Sequence, residues 1–176
     1  MSATRLWPLS TRLLAILVLP IGCSTTYVAP AQAPGAFLDV KISRPAGEEV
    51  DIWIYHDRDC KKSAGTGRLV HVIEQTHEAE YRIEAGREVF LRVMQRQRIP
   101  FDANNRSYVS FCLAFGLMTP KADKKYLLDI RSQSRMNCRI DLRDAATDAR
   151  VGGVNLPFAD IGDECFLGYA AKMKGR

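Results

Sequence analysis

Cysteine and histidine are the residue types in this chain with the most chemistry to offer, and their spacing restricts what that chemistry is. Cys60, Cys112, Cys138 and Cys165 form no CxxC pair and have no histidine at ligand spacing, so a tetrahedral zinc site is not expected. In an exported domain, cysteines spaced like these close disulfides. The expected pairs are Cys112–Cys138, between two strand centres that sheet packing can bring together, and Cys60–Cys165, which would pin the C-terminal tail to an early loop. Each bridge removes roughly 3–5 kcal/mol of loop entropy from the unfolded chain.

His56-Asp57-Arg58-Asp59 combines imidazole with carboxylates, the usual tools of acid–base and metal chemistry. A strand running into a polar turn yields the same string, with Asp57 and Asp59 capping backbone amides, and that is the expected role. His71 lies within a strand and His77 just before one, neither beside a nucleophile in sequence. The chain contains no G-x-S-x-G, no H-E-x-x-H, no phosphate loop and no dinucleotide fingerprint, each of which has a recognisable spacing. Asp102-Ala103-Asn104-Asn105 lacks the glycine and terminal glutamate of a calcium loop and reads as a turn. No catalytic residue, metal or cofactor is expected.

The elements that must position these residues are strands. Val50, Ile52 and Ile54 alternate with Asp51, Trp53 and Tyr55, the pattern of a half-buried strand. Ala79, Tyr81 and Ile83 alternate with Glu80, Arg82 and Glu84. The turn pair Ala85-Gly86 follows, and then Val89, Leu91 and Val93 alternate with Phe90, Arg92 and Met94, which predicts a β-hairpin. Further stripes run through Val109, Phe111, Leu113 and Phe115, through Tyr126, Leu128 and Ile130, and through Met136, Cys138, Ile140 and Leu142. Shorter strands are expected at 40–42, 69–73 and 151–156, with turn clusters between. This spacing predicts an all-β, antiparallel β-sandwich of immunoglobulin-like or transthyretin-like shape, with a possible short C-terminal helix within 163–174. Trp53, Tyr55 and Phe90 fall opposite the aliphatic stripes. They form either a contact surface or a second core layer covered by the tail.

The 176 residues suit one domain, and 47% hydrophobic with 26% charged residues excludes a disordered or fibrous chain. The formal charge is +5. Its densest basic stretch, Arg92, Arg96, Arg98 and Arg106, reads as a solvated strand end and loop. This charge is too weak for electrostatic nucleic-acid binding.

Residues 1–22 carry Arg5 and Arg12, no acid, and the apolar run Leu13–Leu19. That run falls far short of the ~20 apolar residues of a spanning helix and has the form of an export signal. Leu19-Pro20-Ile21-Gly22-Cys23 resembles the lipobox of bacterial lipoproteins, with Pro20 where leucine is usual. The resemblance implies cleavage before Cys23, lipidation of its thiol and acylation of the new amino terminus. Ser24, not aspartate, implies transfer to the outer membrane. Three acyl chains anchor permanently where one does so marginally. Removing 1–22 takes Arg5 and Arg12 with it and lowers the formal charge to +3. Residues 24–35, rich in Pro, Ala and Thr, read as a flexible tether. The expected organisation is a signal peptide over 1–22, a lipidated Cys23 with tether over 23–35, and one β-sandwich over 36–176.

Glu84-Ala85-Gly86 before a strand, then Cys112, Pro120, Tyr126 and Cys138, are similar to small Gram-negative envelope lipoproteins, which implies a β-sandwich without known enzymatic activity. The expected function is a lipid-anchored scaffolding module facing the periplasm, with Trp53, Tyr55, Arg96 and Arg98 as candidate contacts for an envelope protein. The alternative is an inhibitor or immunity lipoprotein that inserts the 96–106 loop into a toxic envelope hydrolase.

Overall fold

The computed structural model describes residues 26–45, 47–99, 108–134, 137–157, 160–162 and 165–166, leaving out the side chains of 97–99, 108–111, 132–134 and 137–138. The expected signal peptide, Cys23, the 100–107 turn with Arg106, and all of the 163–174 tail except Cys165 and Phe166 lie outside these residues. The described strands are β1 (Gly35–Ser43), β2 (Glu48–Tyr55), β3 (Gly67–Val72), β4 (Thr76–Glu84), β5 (Val89–Ile99), β6 (Tyr108–Met118), β7 (Lys125–Ser134), β8 (Asn137–Asp144) and β9 (Gly153–Val154).

They form a sandwich of two sheets, ordered β4-β1-β7-β8 and β3-β2-β5-β6-β9. The all-β sandwich is therefore as expected, with one departure from a purely antiparallel arrangement: β1 and β7 pair in parallel, Leu38 opposite Tyr126. A parallel pair needs a long crossover, which here is the whole of β2–β6.

The inner faces are those the alternation predicts. Val50, Ile52 and Ile54 of β2, Leu38 and Val40 of β1, and Leu128 and Leu142 of β7 and β8 are fully buried in one core. β6 faces this core with small residues, Ala114 and Gly116, because the opposite sheet approaches closely there. A Cβ added at Gly116 would come within 3.1 Å of Ile140 Cδ1. The bulky Phe115 and Leu113 of the same strand point outward.

The expected hairpin of residues 79–94 is corrected. β4 pairs with β1 in one sheet, and β5 pairs with β2 and β6 in the other, so the chain crosses between sheets at Ala85-Gly86. The turn amides are taken up by neighbouring segments, Ala85 N–H by Pro34 O at 2.8 Å and Gly86 N–H by Pro120 O at 2.7 Å. The exposed face of β4 carries Glu78, Glu80 and Arg82, charges that suit an edge strand, whereas β5 is buried on both faces from Val89 to Gln95 and needs a central place.

The expected flexible tether is corrected too. From Thr26 onward it is docked. Thr26 bridges in parallel to Arg68 of β3, the Tyr27 N–H donates to Arg68 O at 2.8 Å, and the Tyr27 side chain, 7% exposed, joins the core. Its hydroxyl accepts the Glu84 N–H at 3.0 Å, and Arg82 donates to Pro30 O and Ala33 O. Residues 26–34 thus form a strap from β3 to the start of β1. Pro and Ala alone read as linker, but Tyr27 supplies the apolar surface that docks it.

Candidate interaction surface

The outer face of the five-stranded sheet carries the side chains of β2 that alternate with its core stripe, and it divides into a covered half and a polar half. The tail covers the first. From β9, paired to β6 at Gly153 and Leu117, the chain crosses the face, with the Leu156 N–H on Phe115 O at 3.3 Å. Ile161 and Cys165 of the tail join Tyr55, Cys60, Phe90 and Phe115 in a second buried cluster. Phe90 stacks on Phe115 at 5.5 Å, and Phe166 meets Phe115 edge-on at 5.8 Å. The Cys60–Cys165 disulfide closes the cover, with its Cα atoms 5.1 Å apart. The tail lies so close that a Cβ at Gly162 would meet Asp59 Cα at 2.8 Å.

This arrangement corrects the reading of Tyr55 as a contact residue, because it is 5% exposed under the tail. Burial raises its hydroxyl pKa, with Arg92 opposing the shift. Of the two expected disulfides, Cys60–Cys165 is present. Cys112, opposite Gln95 in β6, is also disulfide-bonded, while the side chain of its expected partner Cys138 lies outside the described residues.

The polar half centres on Asp51, whose side chain is 4% exposed. Arg96 Nη2 lies 2.6 Å from Oδ2, His71 Nδ1 donates to Oδ1 at 3.0 Å, and Arg68 Nη1 lies 3.6 Å away. Arg96 reaches Glu49 as well, at 3.2 Å. A carboxylate this buried must be paired, and the register supplies the partners: Asp51 faces His71 on β3, and Glu49 faces Arg96 on β5. Arg68 also sits 6.0 Å over the Trp53 ring, a cation–π contact. The Arg96, His71 and Arg68 side chains remain 30–41% exposed, so their polar ends form the accessible rim of the hub. The Nε atoms of Arg92 and Arg96 and Nε1 of Trp53 are buried without a hydrogen-bond partner among the described residues.

Arg92 and Arg96 are therefore not the solvated basic stretch expected. Arg92 is 8% exposed, its Nη2 donating to Met94 Sδ at 4.0 Å; Arg96 is fixed on two carboxylates. Arg98 stands opposite Val109 in β5, its side chain outside the described residues. The structure thus brings together Trp53 and Arg96 of the four candidate contacts, adds Asp51, Arg68 and His71, and removes Tyr55. The signal that could have found the hub is opposite charge on the outward-facing positions, Glu49 and Asp51 on β2 against Arg96 on β5 and Arg68 on β3.

The histidine string resolves into two roles. Asp57 Oδ1 accepts the amides of Asp59 and Lys61 at 3.0 and 3.1 Å, the expected turn cap, whereas Asp59 pairs with Lys61 Nζ at 2.8 Å. His56 turns away. Its Nδ1 donates to Glu88 O at 3.1 Å, and Nε2 faces Glu84 Oε2 at 3.4 Å with side chains 3% and 15% exposed. Gly65, in the left-handed region at φ +74°, lies directly over the pair, where a Cβ would approach His56 Nε2 to 3.0 Å. The pair joins the ends of β2 and β4 beneath the Gly65 backbone. His77, inside β4 and not before it, bonds the Tyr81 hydroxyl at 3.0 Å. Among the described residues no group of three or more His, Cys, Asp or Glu side chains could hold a metal ion. No protein-family profile matches the chain, and no curated protein matches its sequence.

Proposed function

We propose that this protein is a lipid-anchored envelope lipoprotein, tethered through Cys23 to the outer membrane on its periplasmic side, that binds a protein partner without catalysing a reaction. The Asp51 hub carries the binding half of this reading. Arginine and tryptophan are the side chains that dominate protein interfaces, and here Arg96, Arg68 and Trp53 are held in fixed geometry before any partner arrives. Side chains ordered in advance lose less entropy on binding. Export is supported by the Cys60–Cys165 disulfide, since such bonds persist in oxidising compartments, and anchoring by the lipobox resemblance of residues 19–23.

Two measurements test the halves separately. Radiolabelled palmitate should enter the wild type and not Cys23→Ser; label in neither defeats the anchor. A photo-crosslinking residue at position 71, on the rim of the hub, should capture a discrete envelope protein, and Arg96→Glu should abolish the capture. A crosslinker at position 41, on the opposite sheet, should capture none of it. Equal capture from both sheets would remove the hub as the binding face.

A further inference from the structure

Only Ser24 and Thr25 lie between Cys23 and Thr26, three steps along the chain, and Thr26 is already bridged to β3. At 3.3–3.6 Å per residue the chain between them spans at most about 11 Å. Had residues 23–35 been free, the reach would have been roughly 37 Å at the polyproline rise. The five-stranded sheet is itself about 19 Å wide from β3 to β9 at the usual strand spacing. The leash is therefore shorter than the sheet, and a lipid on Cys23 holds close to the bilayer only the edge that carries Thr26.

That edge has suitable chemistry. Val28 and Ile73, two of the three exposed large apolar side chains among the described residues, are 73% and 64% exposed, and they flank it. Val28 follows the docked Thr26–Tyr27 pair, and Ile73 follows the last residue of β3. At the start of β3 the Arg68 side chain, paired with Asp51, is still 41% exposed, and the loop leading into β3 presents exposed Lys62 beside the Lys61–Asp59 pair. Scattered apolar side chains with basic ones beside them suit the boundary between headgroups and acyl chains.

We infer that the β3 edge, with Val28, Ile73 and Lys62, rests on anionic phospholipid headgroups, so that the Asp51 hub stands upright beside the bilayer and meets partners that are themselves at the membrane surface. This rests on lipidation of Cys23. The partner face is then fixed in orientation by the strap and not presented at the end of a flexible arm.

Trp53 is the natural probe. Trp7 is the only other tryptophan and lies within 1–22. Trp53 is opposite Arg68 in the sheet, two strand spacings, or about 10 Å, from Thr26. Lipidated protein, purified from membranes in detergent, would be reconstituted into phosphatidylethanolamine–phosphatidylglycerol vesicles containing a headgroup-nitroxide lipid. The expected result is loss of Trp53 emission relative to nitroxide-free vesicles. A Gly/Ser insertion of about 20 residues after Ser24, adding roughly 25 Å of root-mean-square reach, should restore the emission while the protein still floats with the vesicles. Flotation with full Trp53 emission would overturn the orientation and leave the anchor standing. Failure to float, or equal flotation of Cys23→Ser, would overturn the anchor and the orientation with it.

Discussion

The N-terminal strap and the C-terminal tail both cover ground that the sandwich leaves open, and each traps a tyrosine, but they are fastened differently. The strap is held by Tyr27, 7% exposed, and by hydrogen bonds to Arg68, Glu84 and Arg82. The tail is held by an apolar cluster and a disulfide closing a sequence separation of 105 residues. If the lipid anchor pulls on Cys23, the load enters through the noncovalent strap, while the covalently closed tail shields the opposite half of the sheet. The comparison predicts a hierarchy. Replacing both Cys60 and Cys165 with serine should destabilise the domain by about 5 kcal/mol, the loop-entropy value for a ring this long, read as a lowered urea midpoint against the oxidised wild type. Tyr27→Ala should cost about 3 kcal/mol, in the range for removing a buried aromatic, and should expose residues 26–34 to protease before the sandwich unfolds. If protease cuts the tail before the strap in the oxidised protein, the ranking of the two fastenings is wrong.

Each side also contains a glycine at which an added Cβ would collide with a neighbour. Gly152, at φ +66°, approaches β6 so closely that a Cβ would lie 1.9 Å from Leu117 O. Gly152→Ala should cost about 2–3 kcal/mol, from the φ alone and the displacement that follows, and should loosen β9 together with the tail it launches. Gly35, where the strap enters β1, would meet only the Arg82 guanidinium, at 2.6 Å, which is the mobile end of a long side chain. Gly35→Ala should therefore cost less than Gly152→Ala in the same urea titration, and equal losses would mean that Arg82 is as rigid as backbone.

What the sequence made legible follows the same division between faces and partners. Alternation identifies faces, so the core stripes of β2 and β7 lie where the pattern places them. Val50, Ile52 and Ile54 are fully buried, and Tyr126, Leu128 and Ile130 are within 4% of it. A period of two says nothing about which strand lies alongside, and that is why residues 79–94 read as a hairpin although their strands belong to different sheets. The strap was missed because Pro and Ala composition reports local flexibility, whereas the burial of Tyr27 depends on Glu84, 57 positions away. Nothing in the alternation marks Asp51 as the centre of a charge cluster, because its countercharges arrive from β3 and β5 through register alone. The Cys60–Cys165 pairing was legible since one cysteine closed an early loop and the other sat in a tail that needed fixing.

Alkaline titration separates the two fastenings further, with a smaller effect. Burial raises the hydroxyl pKa of Tyr27, and a hydrogen bond from the Glu84 backbone opposes that shift; burial likewise raises Tyr55. A folded-state pKa above the unfolded value of about 10 means that the stabilising contribution is complete below pH ~10 and is lost as pH climbs through the raised folded values. Lys41 and Lys125, raised by hydrogen bonds to Glu78 and to Glu80 and Asp39, lose stability in the same direction, but they are surface pairs that salt screens. At high salt the remaining alkaline loss should belong to the tyrosines. Tyr27→Phe should remove the strap's share, delaying protease cutting of residues 26–34 to higher pH, and Tyr55→Phe should leave that cutting unchanged. At the acid end, Asp144 is held below the usual carboxylate range by the amides of Ala146 and Thr147, and Asp141 by Arg143. Their contribution is present above about pH 3.9 and disappears as pH falls through the lowered folded values. Both lie at the β8 end, far in sequence from either tyrosine, so Asp144→Ala should flatten the acid limb of the urea midpoint against pH and leave the alkaline limb where it is. A variant that moved both limbs would show that the β8 turn and the strap unfold as one unit, and the distinction between the two fastenings would then be confined to the tail.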